Sequence, residues 1–158
     1  IEVINTDAEG RLIMADALAF ASESKPDIIC DVATLTGAAY VALGVEIGAV
    51  FSNNKVTLDS FLNSNNDGFE NYHSLPLEQS YKSQIKSNIA DMKNSGGRFG
   101  GAITAALLLE EFVDDVDWIH LDIAGPARSR SSNSIYPEGG TGFGVLGYFN
   151  FLANEANS

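Results

Sequence analysis

Asp27-Ile28-Ile29-Cys30-Asp31-Val32-Ala33 is the stretch on which the fold turns. An apolar run of this length, followed by Thr34-Leu35-Thr36-Gly37, reads as a buried strand that ends in a loop. Upstream, Met14, Leu18 and Ala21 recur at helical spacing with Ile13, Ala17 and Phe20 beside them, which predicts a helix over residues 12–24. Lys25 and Pro26 stop it: a cation near the helix end, then a residue with no N–H to donate. Ile1-Glu2-Val3-Ile4 reads as a further strand. Strand, helix and strand within about thirty residues make a βαβ unit, with parallel strands and a right-handed crossover.

The pattern continues downstream. A short helix over 38–43, a strand over 47–52, a helix over 56–63 and a polar loop over 63–72 are expected in turn. A helix over 77–85 follows, and then Gly96-Gly97-Arg98-Phe99-Gly100-Gly101 turns into a helix over 102–112. Trp118-Ile119-His120-Leu121-Asp122-Ile123 is the last clear strand, followed by a Ser/Gly/Pro loop over 129–142 and a closing helix over 144–156. With 158 residues, 45% of them hydrophobic, the chain can build one core and not two, and it has neither an internal repeat nor a linker. The expected fold is α/β: a mostly parallel or mixed sheet with helices on both faces, an αβα sandwich forming one domain over 1–158.

Charge narrows the partners. The net charge is −12, and the nine Lys and Arg are scattered, so neither nucleic acid nor an anionic membrane is an expected ligand. The acidic patch Glu110, Glu111, Asp114, Asp115 and Asp117 reads as a solvated surface where a helix runs out. The most apolar stretch, 28–51, is broken by Asp31, Thr34, Thr36 and Glu46 and is not expected to cross a bilayer as a helix. No signal peptide is visible. One cysteine, Cys30, excludes a disulfide within the chain and fits a reducing cytoplasm. The chain opens at Ile1, without an initiator Met, in what reads as mid-strand, so a truncated, processed or cloned chain is expected.

The run Asn5-Thr6-Asp7-Ala8-Glu9-Gly10-Arg11-Leu12 places three charged side chains two residues apart. In extended backbone such side chains share a face at roughly 6–7 Å spacing. Two carboxylates so placed repel each other unless a cation sits with them. Hard oxygen donors without His or Cys suit Mg²⁺, Mn²⁺ or carboxylate-bound Zn²⁺, and Arg11 adds a donor fork for a carboxylate or oxyanion. Thr6-x-x-Glu9 ahead of an apolar run is equally a capping box, with Asp7 at the positive end of the helix. Spacing alone leaves both readings open.

The string NTDAEGRL at 5–12 resembles the signature of the leucyl aminopeptidase (cytosol aminopeptidase) family. Similar segments follow in the family's order: Ala33-Thr34-Leu35-Thr36-Gly37-Ala38, Ala90-Asp91-Met92 with the Gly-rich turn, His120-Leu121-Asp122-Ile123-Ala124-Gly125, and Thr141-Gly142. The resemblance implies a hydrolase that releases N-terminal, Leu-type residues from peptides, using two divalent metal ions (Mn²⁺ or Zn²⁺) and water activated between them. It implies Asp7 and Glu9 as metal ligands, Arg11 as a catalytic residue holding bicarbonate, and Thr34, Leu35 and Gly37 along the substrate cleft. Ala124, with Ala127, would floor the side-chain pocket. It also implies a cytoplasmic homo-hexamer. The family's other ligands, a Lys and two Asp, and a second catalytic Lys lie upstream of the signature, so this chain is a partial catalytic domain expected to be inactive alone.

Other candidates read as structural. Gly96–Gly101 lacks the Walker and Rossmann spacings. His120 and Asp122 share a strand face, as metal ligands could, but Trp118 shares it and the family resembled does not use His120 as a ligand. His120 therefore reads as a hydrogen-bonded core histidine; His73 has no partner in view. Cys30 reads as inert strand packing. The alternative class is a non-catalytic scaffold or oligomerisation fragment that keeps the fold.

Overall fold

The computed structural model describes residues 1–66, 68–132 and 135–156. Four strands form the main sheet: β1 (Ile28–Ala33), β2 (Ile47–Ser52), β3 (Asn71–Ser74) and β4 (Asp117–Asp122), in the order β1-β4-β2-β3. β1 lies parallel to β4, with Ile28 opposite Asp117 and Ala33 opposite Asp122. β4 runs antiparallel to β2, with His120 opposite Phe51, and β2 runs parallel to β3. The sheet is therefore mixed. β2 and β4 are central and buried on both faces, which is why both read as apolar runs rather than as alternating strands. β5 (Arg128–Ser129) and β6 (Gly139–Gly140) form a separate antiparallel pair.

Helices cover both faces, as the α/β reading expects. α1 (Gly10–Glu23), α2 (Gly37–Leu43) and α4 (Gly101–Glu110) pack on one, where Leu18, Ala39, Leu108 and Trp118 share a core cluster. α3 (Lys55–Ser64) and α5 (Val145–Glu155) pack on the other, around Phe61, Ile119, Leu121 and Phe151. Strand alternation sorts β4 between them: Trp118 faces the first cluster, Ile119 and Leu121 the second. α4 is apolar almost all round and buried over 104–109, as befits a helix inside the fold rather than on its surface.

Three expectations are corrected. Residues 1–4 make an isolated bridge, Glu2 to Lys93, and no strand, so the expected βαβ unit is absent and the parallel partner of β1 is β4. Residues 77–85 form a 3₁₀ turn over Gln79–Ile85 instead of an α-helix. The polar stretch expected to be loop over 63–72 yields β3 at its end, an edge strand held by its pairing with β2. Of the two expected loops, residue 67 in the first and residues 133 and 134 in the second lie outside the described residues.

Candidate functional site

The paired β1 and β4 end side by side at Ala33 and Asp122, and the loops leaving them border a cavity of about 700 Å³. Crevices at strand carboxyl ends are where open α/β sheets bind ligands. Asp7, Glu9, Arg11, Thr34, Leu35 and Gly37 all line it. Ala124 does not; it borders a separate pocket with Gly125 and Arg128. Ala127 lines neither, and enters through its carbonyl, which accepts from the Thr141 N–H at 3.0 Å.

The two readings of the Asp7–Glu9 run now separate. A short 3₁₀ turn, Thr6–Ala8, precedes α1, and its cap is Asn5, whose side chain accepts the Asp7 N–H at 3.0 Å. Glu9 occupies the N-cap position of α1 in helical conformation and makes no side-chain cap. Thr6 and Glu9 therefore do not form a capping box. Both Asp7 and Glu9 are exposed, and neither carboxylate has a hydrogen-bond or ion-pair partner among the described residues.

The run owes its position to Asn94, which is fully buried. Its Oδ1 accepts from the Ile4 N–H at 3.0 Å and the Asn5 N–H at 3.3 Å, while Nδ2 donates to the Asn5 carbonyl at 2.7 Å and the Ala8 carbonyl at 3.4 Å. Its own carbonyl accepts from Arg11 Nη1 at 3.0 Å. One side chain thus does for an irregular segment what a neighbouring strand would do for a regular one. Arg11 is 9% exposed, and its Nε is buried without a partner among the described residues. Burial lowers the guanidinium pKa, and the charge of Asp122 acts in the opposite direction.

Asp122 orders the opposite wall. Its Oδ1 accepts from the backbone N–H groups of Leu35 (3.1 Å), Thr36 (3.3 Å) and Ala124 (3.2 Å), and its Oδ2 from the Thr36 hydroxyl at 2.6 Å. Thr36 Oγ1 in turn accepts the Ala39 N–H at 3.0 Å and caps α2. Four donors thus satisfy this buried carboxylate from within the chain. Asn94 does not stand out in the sequence, and Asp122 stands out only as a neighbour of His120: their roles come mostly from groups more than eighty residues away in sequence.

The residues set aside behave as expected. His120 is buried between the rings of Trp118 and Phe51, its Nδ1 is 2.5 Å from Asp31 Oδ1, and Trp118 Nε1 donates to the other Asp31 oxygen at 2.6 Å. The Cys30 thiol is pushed up to about 12, first by burial and then by Asp31, which makes it a poor nucleophile. The Gly97 N–H is taken by Gln84 Oε1 at 3.1 Å. In the acidic patch Asp114 and Asp115 are exposed, whereas Lys82 bridges Glu110 and Glu111, and Asp117 accepts from Asn54 and Thr57.

The donor set at Asp7 and Glu9 fits a hard divalent cation in kind, being exposed carboxylate oxygen with nothing else to bind. It is short in number: among the described residues no group of three or more His, Cys, Asp or Glu could hold an ion.

Known proteins give the same assignment. The family described as "Cytosol aminopeptidase family, catalytic domain" matches residues 1–147. A probable cytosol aminopeptidase of Synechococcus sp. (strain CC9902) is 50% identical over 157 residues, 99% of this chain and 32% of that relative. One from Syntrophotalea carbinolica is 50% identical over 155 residues, 98% of this chain and 31% of its own length. The chain thus spans about a third of the length of these curated relatives. Among solved structures, the bottromycin maturation enzyme BotP superposes with a TM-score of 0.94 at 38% identity, covering 99% of this chain and 35% of that one. The cytosol aminopeptidase from Coxiella burnetii gives 0.91 at 41% identity, covering 98% and 34%. By sequence and by fold, the chain belongs to the cytosol aminopeptidase family.

Proposed function

We propose that the whole protein carrying this chain is a metal-dependent aminopeptidase that releases Leu-type N-terminal residues from peptides. The observation that carries the reading is the pair of carboxylates Asp7 and Glu9, unpartnered among the described residues, lining one cavity with Arg11. Asp7 and Glu9 would hold two divalent ions, Mn²⁺ or Zn²⁺, together with ligands outside this chain. Such ions polarise a scissile carbonyl and lower the pKa of water, so that hydrolysis runs near neutral pH.

The chain's own residues supply the rest. Arg11, which lines the cavity, would hold an oxyanion, bicarbonate in this reading, beside the reacting groups. Leu35, Met14, Ile123 and Phe143 give the cavity an apolar side suited to an aliphatic substrate side chain. Thr34 and Gly37 border the space where the peptide would lie, with Ala124 beyond it. The 158-residue chain alone, with two carboxylates to offer, would be inert. The homo-hexamer and the cytoplasmic location rest on family likeness. The relatives are named cytosol aminopeptidases, and among the described residues no helix is long and apolar enough to cross a membrane.

The test is hydrolysis of Leu-anilide by the whole protein supplied with Mn²⁺ or Zn²⁺. A protein that stays inert with either metal removes the reading. Arg11→Ala is expected to lower turnover by about a hundredfold with metal content unchanged. Loss of both together would mean that Arg11 only supports the metal-bearing loop.

A further inference from the structure

Phe143 is buried and, among the described residues, is the one that lines both of the following two cavities. One is the 700 Å³ cleft that holds Asp7, Glu9 and Arg11. The other, about 350 Å³, is bordered by Val45, Pro126, Arg128 and Arg130. The phenyl ring is therefore a shared wall.

Its seat is built from several sides. The Tyr72 ring stands 5.1 Å away, centroid to centroid. Residue 48 is glycine, and a Cβ there would come within 2.8 Å of the Phe143 ring. The Phe143 N–H donates to Thr141 Oγ1 at 3.2 Å, and that hydroxyl donates to the Pro126 carbonyl at 2.7 Å.

What fixes the turn on its other side is Glu70, buried at 6% exposure. Gly144, at φ +99°, is the N-cap of α5 and has no side chain with which to cap it. Glu70 takes over that task from 74 residues away: Oε1 accepts the Gly144 N–H at 2.9 Å and Oε2 the Gly147 N–H at 2.8 Å. Tyr72 Oη donates to Oε2 at 2.6 Å, so the residue whose ring lies tilted against Phe143 is tied to the same carboxylate. A carboxylate at a helix N-terminus, with three donors, is a strong anchor.

We propose that Phe143 sets the size of substrate side chain that the cleft accepts, by closing it off from the neighbouring cavity, and that Glu70 is the positioning residue that holds the ring there. The proposal rests on the aminopeptidase reading and deepens it. Shortening the ring joins the two spaces, so an indole or larger group fits where an isobutyl group now meets a wall. Aliphatic substrates lose contact and gain nothing.

The experiment uses the whole protein with Mn²⁺ and compares kcat/KM for Leu- and Trp-anilide. Phe143→Ala is expected to raise the Trp-to-Leu ratio about tenfold, and Phe143→Leu about threefold. Glu70→Gln turns an amide NH₂ toward donors, frees the turn and moves the ratio in the same direction, chiefly through KM. In the Phe143→Ala background it has no further effect on the ratio. An unchanged ratio in a folded Phe143→Leu variant overturns the wall, and this variant serves if Phe143→Ala does not fold. An equal Glu70→Gln effect with or without the ring overturns the positioning role. If the wild-type protein hydrolyses neither substrate, the aminopeptidase reading falls first. Calorimetric binding of L-leucinamide and L-tryptophanamide then tests the wall without turnover, and an affinity ratio unmoved by Phe143→Leu sinks it.

Discussion

At the scale of single residues, polar side chains far apart in sequence set the shape of the cleft, and substitutions can separate their geometry from their charge. Asp122→Ala leaves the N–H groups of Leu35, Thr36 and Ala124 and the Thr36 hydroxyl without their acceptor, and is expected to destabilise the protein by about 3 kcal/mol. Asp122→Asn keeps Oδ1 for the three amides and can donate to the Thr36 hydroxyl, so its expected cost stays near 1 kcal/mol. Denaturant unfolding of both variants checks the order; equal losses would mean that charge, not hydrogen bonding, is what Asp122 provides. Cys30 makes the opposite point, since burial beside Asp31 disfavours its charged form and moves the thiol from an ordinary value of 9.0 to about 12. The sign follows: the stability this thiol contributes is fully present below pH 9 and is lost as pH rises toward 12. At pH 8 its reaction with a disulfide reagent should be about a thousandfold slower in the native protein than in denaturant. A rate matching the unfolded chain would contradict the burial.

At the scale of elements, legibility in the sequence followed burial. β2 and β4 carry buried apolar runs, and α1, α3, α4 and α5 carry periodic apolar faces or long apolar stretches, so their positions could be read directly. β1 was legible too, although it is an edge strand in which Ile29 alone is buried, and not the buried strand expected. β3 could not, because Asn71–Ser74 is a polar edge strand whose conformation comes from pairing with β2. Residues 1–4 misled for the converse reason: Ile1, Val3 and Ile4 have strand-like side chains but stay exposed, with one bridge to Lys93 and no ladder. The antiparallel step between β2 and β4 has no local signature at all. In the candidate site, the NTDAEGRL run was legible by resemblance; Asn94 and Glu70, which hold it and its surroundings, were not, and Asp122 was noticed as a possible metal ligand but not as the acceptor that orders the loop after β1. The same burial logic gives a stability contrast. Leu108, fully buried on α4 in the core beside Trp118, is expected to cost about 3 kcal/mol when cut to Ala. Ile13, 68% exposed on α1, should cost less than about 0.5 kcal/mol. Comparable losses on unfolding the whole protein would mean that Ile13 is covered by a segment outside this chain.

At the scale of the molecule, the fold and the donor set point in different directions. These 158 residues form a four-stranded sheet with helices on both faces, and superposition on two longer solved chains extends over 98% of the chain or more. The acidic donors are not assembled to the same degree. Two carboxylates held on a 3₁₀ turn and a helix start are positioned by Asn94 but chelate little by themselves, because affinity grows with the number of ligands and the rigidity of their geometry. The isolated chain is therefore expected to bind Mn²⁺ no tighter than about the millimolar range, a few kcal/mol of binding free energy. Calorimetric titration checks this, with circular dichroism to verify that the chain is folded. Micromolar binding of two ions by the folded chain would mean that the missing donors come from within it, through a rearrangement of the cleft. Millimolar binding abolished by Asp7→Asn would leave the cavity as the binding platform and place the remaining ligands on the rest of the protein.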